Sequence, residues 1–461
     1  MTESIALAVV GAGPAGLAAA GQAAELGLAV TLIDAFALPG GQYYKQTPPE
    51  LGETAAPDGN ARQLWAGVEQ KAVRLLAGTS VWGIFPEEGA YTLCLYGPQG
   101  TPRRLKAQTV ILAPGAYDRP APFPGWTLPG VMTAGAALAM VKHQHVLPGR
   151  RILLSGTGPL QLVLARHLID AGAELAGVLD ANPFPWNGWR HAGAVWGQWA
   201  RLGEGWEALR TMRKAGVGIR WSHCVQRALG DGRVEQAVIG SVAGREPRRG
   251  GETVLVDTIC LGHGFTPSVQ LSRLAGCEHR YQQVQRAYVP LRDEGLQTTL
   301  EGLYVAGDGA GIGGKDVAQW EGRLAALSAA KKLGRDVDTN KVSAVQQALA
   351  RQRRFAAVLD DLFPTSAHLA DLLTDDTVLC RCEEITVGEI RRAVEDGATT
   401  VSAIRMLTRA GMGRCQGRMC GGPVAELLAR ELGQPVEAAG QSTPRPPIVP
   451  VPLGDLAEEV S

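Results

Sequence analysis

The sequence lacks a surplus of charge of either sign: 45 lysines and arginines face 45 aspartates and glutamates, for a formal net charge of +0. Without a basic field to hold phosphates or anionic headgroups, nucleic acid and membrane surfaces are poor first partners. It lacks the bias of low-complexity chains, since Gly 59 and Pro 28 in 461 residues stay below the roughly 25–30 % that marks them, while 45 % hydrophobic residues can fill cores. The opening Met1-Thr2-Glu3-Ser4 has no basic stretch, so no cleavable leader and a reducing cytoplasm are expected, where disulfides do not form. Also missing is the close cysteine pair of a disulfide reductase: Cys94, Cys224, Cys260 and Cys277 are scattered, and Cys224 and Cys260 read as buried structural thiols. The apolar run Ile5–Ala24 has membrane-span length but is broken by Gly11-Ala12-Gly13-Pro14-Ala15-Gly16 and has no basic flank, so no transmembrane segment is expected.

What is present is a strand–turn–helix–strand unit. Ile5–Val10 reads as a strand, Pro14–Leu26 as a helix and Ala29–Asp34 as a second strand, with Gly11, Gly13 and Gly16 in GxGxxG register. Gly11 serves the tight turn, Gly13 the approach of a pyrophosphate to the helix N-terminus with Pro14 and Ala15, and Gly16 the close packing of helix on strand. Asp34 ends the second strand, where an acid accepts ribose hydroxyls. The strand Thr109–Leu112 followed by Ala113-Pro114-Gly115-Ala116, the late segment Thr299–Asp308 ending in Gly307-Asp308, and the loop Gly40-Gly41-Gln42 all resemble motifs of two-dinucleotide-domain flavoproteins of the thioredoxin reductase type. The resemblance implies FAD here: Asp308 at the ribityl chain, Gly41 and Gln42 beneath the isoalloxazine, Ala113 and Gly115 at the sheet end. A helix starting near Asp316 would aim its positive end at the flavin.

Arg151–Ser155 with Gly156-Thr157-Gly158-Pro159-Leu160-Gln161 repeats the pattern, followed by a helix through Asp170 and a strand Ala176–Asp180. Gly156, Gly158 and Asp180 are candidate contacts to a second nucleotide. Gln161 stands where the third glycine belongs, so the expectation is an adenine nucleotide, ATP or NAD(P), with poor hydride exchange. NAD(P)H use and an empty relic stay open. Pro183–Trp206 holds Trp186, Trp189, Trp196, Trp199 and Trp206, half of the ten tryptophans, and reads as an interface or a local aromatic core.

After a helical connector, Lys341–Leu372, come Cys380-Arg381-Cys382 and Cys415-Gln416-Gly417-Arg418-Met419-Cys420. Thr386-Val387-Gly388-Glu389 predicts a capping box opening a helix with Val387, Ile390 and Val394 on one face, ended by Gly397. A second helix from about Thr400, carrying Val401, Ile404 and Leu407 and stopping at Gly411, would bring the two cysteine loops together. Gly421-Gly422-Pro423 starts a third, whose free amides would face the sulfurs. Zinc accepts four thiolates, although the C-x-C half departs from its usual spacing. The segment resembles the bacterioferritin-associated ferredoxin-like [2Fe–2S] domain, which implies Cys380, Cys382, Cys415 and Cys420 as cluster ligands.

The fold class expected is α/β: two dinucleotide-binding, Rossmann-like domains plus a small helical C-terminal [2Fe–2S] domain. The boundaries expected are 1–118 and 286–335 for the FAD-binding domain and 119–285 for the second nucleotide domain. Residues 336–374 form the connector, 375–432 the iron–sulfur domain and 433–461 a Pro-rich tail. This order resembles the α subunits of heteromeric amino-acid dehydrogenases: hydrogen cyanide synthase, opine oxidase, D-hydroxyproline dehydrogenase and, more distantly, sarcosine oxidase. The resemblance implies a cytoplasmic hetero-oligomer in which an amine-oxidising flavoprotein β subunit does the C–N chemistry and a small iron–sulfur subunit is a further partner, while this chain relays electrons through FAD and [2Fe–2S]. The alternatives are a stand-alone NAD(P)H-dependent FAD/[2Fe–2S] reductase and a non-catalytic redox sensor. No catalytic acid or base can be named from the sequence, and His143, His145 and His263 read as structural.

Overall fold

The structure, a computed structural model, describes residues 3–51, 59–69, 73–101, 103–242, 251–365 and 367–457. The chain divides into two units, one of Met1–Tyr117, Thr266–Ala357 and Thr443–Ser461, the other of Asp118–Phe265 and Val358–Ser442.

The first unit is a seven-stranded sheet whose strands run Arg74–Leu76, Val30–Ile33, Glu3–Val10, Arg104–Leu112, Ala90–Tyr96, Ser80–Glu87 across it; Leu303–Val305 pairs parallel with the C-terminal half of Arg104–Leu112. The central strands are apolar on both faces because both are covered. Leu7 and Val9 join one core cluster, with the helices Pro14–Glu25 and Gly314–Lys332, while Ala8 and Val10 join another. Each fully buried Leu or Val contributes roughly 1.5–3 kcal/mol. The strand order reverses beside Glu3–Val10, with Val30–Ile33 on one side and Arg104–Leu112 on the other. A crevice at the carboxyl ends of the strands is therefore built in there.

The second unit repeats this. Its five parallel strands lie in the order Ile219–Trp221, Glu174–Asp180, Arg151–Gly156, Thr258–Gly262, Val131–Thr133, with the reversal between Arg151–Gly156 and Thr258–Gly262. An antiparallel meander, His223–Leu229, Gln236–Ser241 and Glu252–Leu255, accompanies it. The same unit holds the cysteine module, whose helices Val387–Glu395, Val401–Thr408 and Gly421–Glu431 close on Val387, Ile390, Ile404, Leu427 and Leu428. The capping box forms as expected: Thr386 Oγ1 accepts from Glu389 N and Glu389 Oε2 from Thr386 N.

Several boundaries differ from expectation. The chain returns to the first unit at Thr266, not near 286, because Leu271, Ala275 and Cys277 join that unit's core; the hairpin His279–Gln282 and Ala287–Pro290 then belongs to the same unit. The connector is one long helix, Thr339–Leu362, and a short 3-10 turn at Ala367–Leu372. The Pro-rich stretch is no free tail: Ile448 is buried, its N–H donates to Trp82 O at 3.0 Å, and Val449 packs beside it. In the cysteine module Leu407 is exposed, and the helix ends at a left-handed Arg409 (φ 69°) before Gly411 is reached.

Candidate functional site

In the first cleft the glycines answer to different constraints. A Cβ on Gly16 would lie 1.7 Å from Gly11 O, and one on Gly11 would lie 2.2 Å from Ala113 O, so helix, strand and the Ala113–Gly115 turn meet backbone to backbone. Gly13 is the exception. Its φ of −77° suits any residue, and the nearest atom to an added Cβ is Gly41 Cα at 3.8 Å. The protein itself does not require glycine there. What a side chain would fill is the space before the N-terminus of Pro14–Glu25, where Pro14 and Ala15 open a helix whose first amides lack intrahelical partners and favour an anion. A pyrophosphate fits that cradle. Asp34 is buried, accepting from Phe36 N at 2.7 Å and from Ala12 N within the glycine turn. Burial raises its pKa, and the two backbone donors oppose the rise.

At the other end, Gly307-Asp308 follows the strand Leu303–Val305. Asp308 Oδ1 accepts from Gly313 N at 2.9 Å and Gly314 N at 3.0 Å, while its second oxygen has no partner among the described residues. Burial raises its pKa. The helix expected near Asp316 starts at Gly314. Sequence reasoning missed what supports this turn. Glu321, 3 % exposed, accepts from Gly307 N at 2.9 Å, Arg292 Nη1 at 2.8 Å and Arg353 Nη2 at 2.7 Å, and Arg292 also donates to Val305 O. Burial alone would raise its pKa, but the two guanidinium groups hold it low. It missed, too, the wall that follows Gly41 and the exposed Gln42. Lys315 Nζ sits 4.6 Å from the Tyr43 ring centre, and Gln319 Nε2 donates to Tyr44 Oη at 3.0 Å. Burial works against the charge of Lys315, yet its contacts to Tyr43 keep its pKa above the usual value. A fixed cation thus stands in the first turn of a helix whose N-terminus is already positive. GGK before a helix was the one available signal.

The second cleft is built differently. Gly156 is close-packed, since a Cβ would lie 2.2 Å from Gly262 O, and Gly158 is left-handed at φ +83°. Both glycines therefore have reasons internal to the fold. Gln161 carries a Cβ where Gly16 has none, and the helix starts later, at Leu160 with Pro159 as its cap, through a weak 3.4 Å bond from Gln161 N to Gly158 O. The Gln161 side chain is buried and neither its amide nitrogen nor its oxygen has a partner among the described residues. Asp180 accepts from Gly158 N at 3.2 Å and Asn182 N at 2.9 Å; burial outweighs these donors and pushes its pKa up to about 6.

The four C-terminal cysteines converge as two pairs. Cys420 donates to Cys380, which brings the Cys380 thiol down to about 5, aided by the amides of Gly411, Glu383 and Cys382, and pushes Cys420 up. Cys382 and Cys415 are hydrogen-bonded neighbours. Four thiols standing as two neighbouring pairs are a donor set that suits a [2Fe–2S] cluster. Cys420 caps the helix Gly421–Glu431, but the amides at Cys380 come from the cysteine loops, not from that helix. The module is tied to the second nucleotide fold by Trp126, whose Nε1 donates to Val378 O at 2.6 Å and whose ring lies under the Arg381 guanidinium.

The remaining candidates separate cleanly. All five clustered tryptophans are exposed, by 61–78 %, so they form no local core. Cys224 and Cys260 are buried, with thiols pushed up to about 12 by desolvation. His143 and His263 are buried, His263 held neutral at about 4 by burial and then Arg119, whereas His145 is exposed.

Known proteins resemble this chain along nearly all of its length. Residues 5–334 match the family described as pyridine nucleotide-disulphide oxidoreductase, and residues 378–430 the BFD-like [2Fe-2S] binding domain. Over 98 % of its length the chain is 34 % identical to an opine oxidase subunit of Agrobacterium tumefaciens (strain Ach5), covering 91 % of that protein. It is 32 % identical to hydrogen cyanide synthase subunit HcnB of Pseudomonas aeruginosa, covering 96 % of this chain and 97 % of the relative. Among solved structures, the L-proline dehydrogenase of P. horikoshii shares the fold, with a TM-score of 0.73 at 20 % identity over 99 % of this chain and 80 % of that one.

Proposed function

We propose that this chain, which belongs to the pyridine nucleotide-disulphide oxidoreductase family and ends in a BFD-like [2Fe–2S] domain, is the electron-transferring flavoprotein subunit of a heteromeric dehydrogenase or oxidase of amino acids, imino acids or opines. One observation carries the proposal: a chain with both an FAD cradle and a four-thiol centre is alike, nearly end to end, to proteins named as subunits of opine oxidase and hydrogen cyanide synthase. Its cofactors are FAD and a [2Fe–2S] cluster. When bound, FAD accepts electrons in pairs and the cluster passes them singly, so together they link a two-electron oxidation to one-electron carriers.

The residues take the following parts in this proposal. Gly13, Pro14 and Ala15 present helix amides to the pyrophosphate, and Asp34 takes the ribose. Ala113 and Gly115 border the crevice, and Gly41 and Gln42 lie along the flavin. Asp308 uses its unpartnered oxygen for the ribityl chain, held in place through Gly307 by Glu321. Lys315 and the start of its helix oppose negative charge at the flavin's pyrimidine edge. Cys380, Cys382, Cys415 and Cys420 hold the cluster. Gly156, Gly158 and Asp180 receive an adenine nucleotide.

The C–N bond is oxidised on a partner flavoprotein, and a small iron–sulfur protein completes the assembly. Relatives named as subunits support a multi-subunit complex. The exposed tryptophans suit a lasting contact, because Trp anchors dominate interface energetics. Among the described residues no helix is long and apolar enough to cross a membrane; we place the complex in the cytoplasm.

The test is expression of the chain alone and with the products of its neighbouring genes, following dye reduction with imino acids, opines, glycine and sarcosine. The expected result is turnover only in the co-expressed complex. Robust oxidation by the isolated chain would place catalysis here and end the relay reading. The rival, a self-sufficient NAD(P)H reductase, is met by stopped flow: NADH should bleach the flavin no faster than it bleaches free FAD, because Gln161 puts a side chain where the fingerprint's third glycine belongs. Rapid stoichiometric bleaching would promote the reductase.

A further inference from the structure

We infer that the edge of the iron–sulfur module bearing Cys382 and Cys415 is the docking face for an acidic one-electron carrier protein, the acceptor to which this chain delivers its electrons. Cys380 and Cys420 are buried in the module's core, but Cys382 is exposed and Cys415 half-buried. Four arginines stand in or against the loops that carry these two, Arg381, Arg409, Arg414 and Arg418, and a fifth, Arg405, lies one helical turn before Arg409. Arg381 lies between Cys380 and Cys382, stacked 5.0 Å from the Trp126 ring centre, which fixes its charge beside the thiols. Arg405 stands in the last turn of Val401–Thr408, and Arg409 follows it, bonded to Glu383 at 2.9 Å, so this helix end adjoins the Cys382 loop. Gly413 packs on Cys382, where a Cβ would lie 2.3 Å from Cys382 Cβ, bringing Arg414 to the same edge. Arg418 donates to Cys415 O at 3.2 Å.

The cysteine loops, residues 380–384 and 409–420, carry four arginines against two acids, Glu383 and Glu384, and Glu383 is committed to Arg409. Arg381, Arg405 and Arg414 have no acidic partner among the described residues. In a chain of net charge +0 this excess is local. Guanidinium groups left without carboxylates are recognition elements for them, and a basic ring steers an acidic partner onto the thiols it surrounds. Exposed Met412 adds an adaptable apolar contact suited to brief encounters. A second copy would repel its like. An anionic membrane is the weaker occupant, because residues 378–430 contain no Trp, Tyr or Phe to sit at a lipid interface. In each encounter one electron passes from the reduced chain to the oxidised centre of the carrier. No bond forms or breaks between the two proteins; a two-electron oxidation takes two encounters, and the protons given up by the reduced flavin leave to solvent.

The proposal rests on the cluster-bearing module and not on the amine substrate, so its test needs none. The full-length holo-chain, reduced chemically, is mixed in stopped flow with an acidic and with a basic c-type cytochrome of similar potential. Expected is at least about tenfold faster transfer to the acidic protein at low salt, falling as salt rises. The double variant Arg405→Glu/Arg414→Glu should erase that preference with iron, sulfide and FAD contents unchanged. Should the double variant load iron poorly, Arg405→Glu alone, outside the ligand loops, should lower the acidic rate severalfold. Equal rates for the two cytochromes, no salt dependence, or variants that behave as the wild type overturn the proposal. So does sedimentation with vesicles of phosphatidylcholine and phosphatidylglycerol that the same variants abolish, which would assign the edge to a membrane.

Discussion

Gly13→Val should yield a folded protein without flavin. Most glycines around the first cleft cannot report on a ligand, because replacing them disturbs the protein itself: a side chain on Gly16 would drive into Gly11 O, and one on Gly11 into Ala113 O. Gly13 has ordinary backbone angles and open space beside it. A valine there should leave the melting temperature of the flavin-free form within a degree or two of the wild type, since a surface change without a clash is usually within about 0.5 kcal/mol. The branched side chain occupies the pyrophosphate space, however, and affinity should fall by at least about a hundredfold, roughly 2.7 kcal/mol. Flavin absorbance after gel filtration, with thermal melting of the stripped proteins, gives both readouts. A Gly13→Val protein that keeps stoichiometric FAD would refute the cradle. One that fails to fold would show that the space is not free.

Cys382→Ser should remove the cluster and spare everything else. Its side chain is exposed, so the substitution leaves no cavity, unlike changes at Cys380 or Cys420, which sit in the core with Leu379, Ile404 and Val424. Visible absorbance and the EPR signal of the reduced cluster should drop to under about a tenth of wild type, since thiolate ligation is lost at one of four positions. FAD content should not change, because the flavin cleft belongs to the other unit. Cys415→Ser should behave alike. Retention of a full complement of iron and sulfide by both variants would mean that the four cysteines do not form one centre, and zinc in place of iron would remove the second half of the relay.

How much of this was legible beforehand varies with the range of the interaction. The glycine turn, Asp34 at the end of its strand and the Thr386–Glu389 box are decided within one strand–helix unit or one helical turn, so their residue types and spacing suffice. The four cysteines are legible for a related reason, because sulfur ligation admits few substitutes. The same logic misplaced the end of Val401–Thr408, since Gly411 is the obvious stop and Arg409 adopts the left-handed angle instead. It also set the chain's return to the first unit too late, because that return depends on Leu271 and Ala275 finding the sheet core and not on any local signal.

The order of the residues was enough for the two dinucleotide-type folds in succession, the cysteine module with its capped helix, and the departure at Gln161, because each is short-range stereochemistry written in glycines, acids and thiols. It took the packed molecule to show that Glu321 is clamped by Arg292 and Arg353 beneath Gly307, and that Lys315 stands against Tyr43. Packing likewise exposed the five tryptophans, buried Ile448 of the proline stretch and left Arg381, Arg405 and Arg414 without an acidic partner among the described residues. The reason is physical: a charged or aromatic side chain has no fixed meaning until packing sets what surrounds it. Burial turns Glu321 into a support, and exposure is what denies the tryptophans a local core.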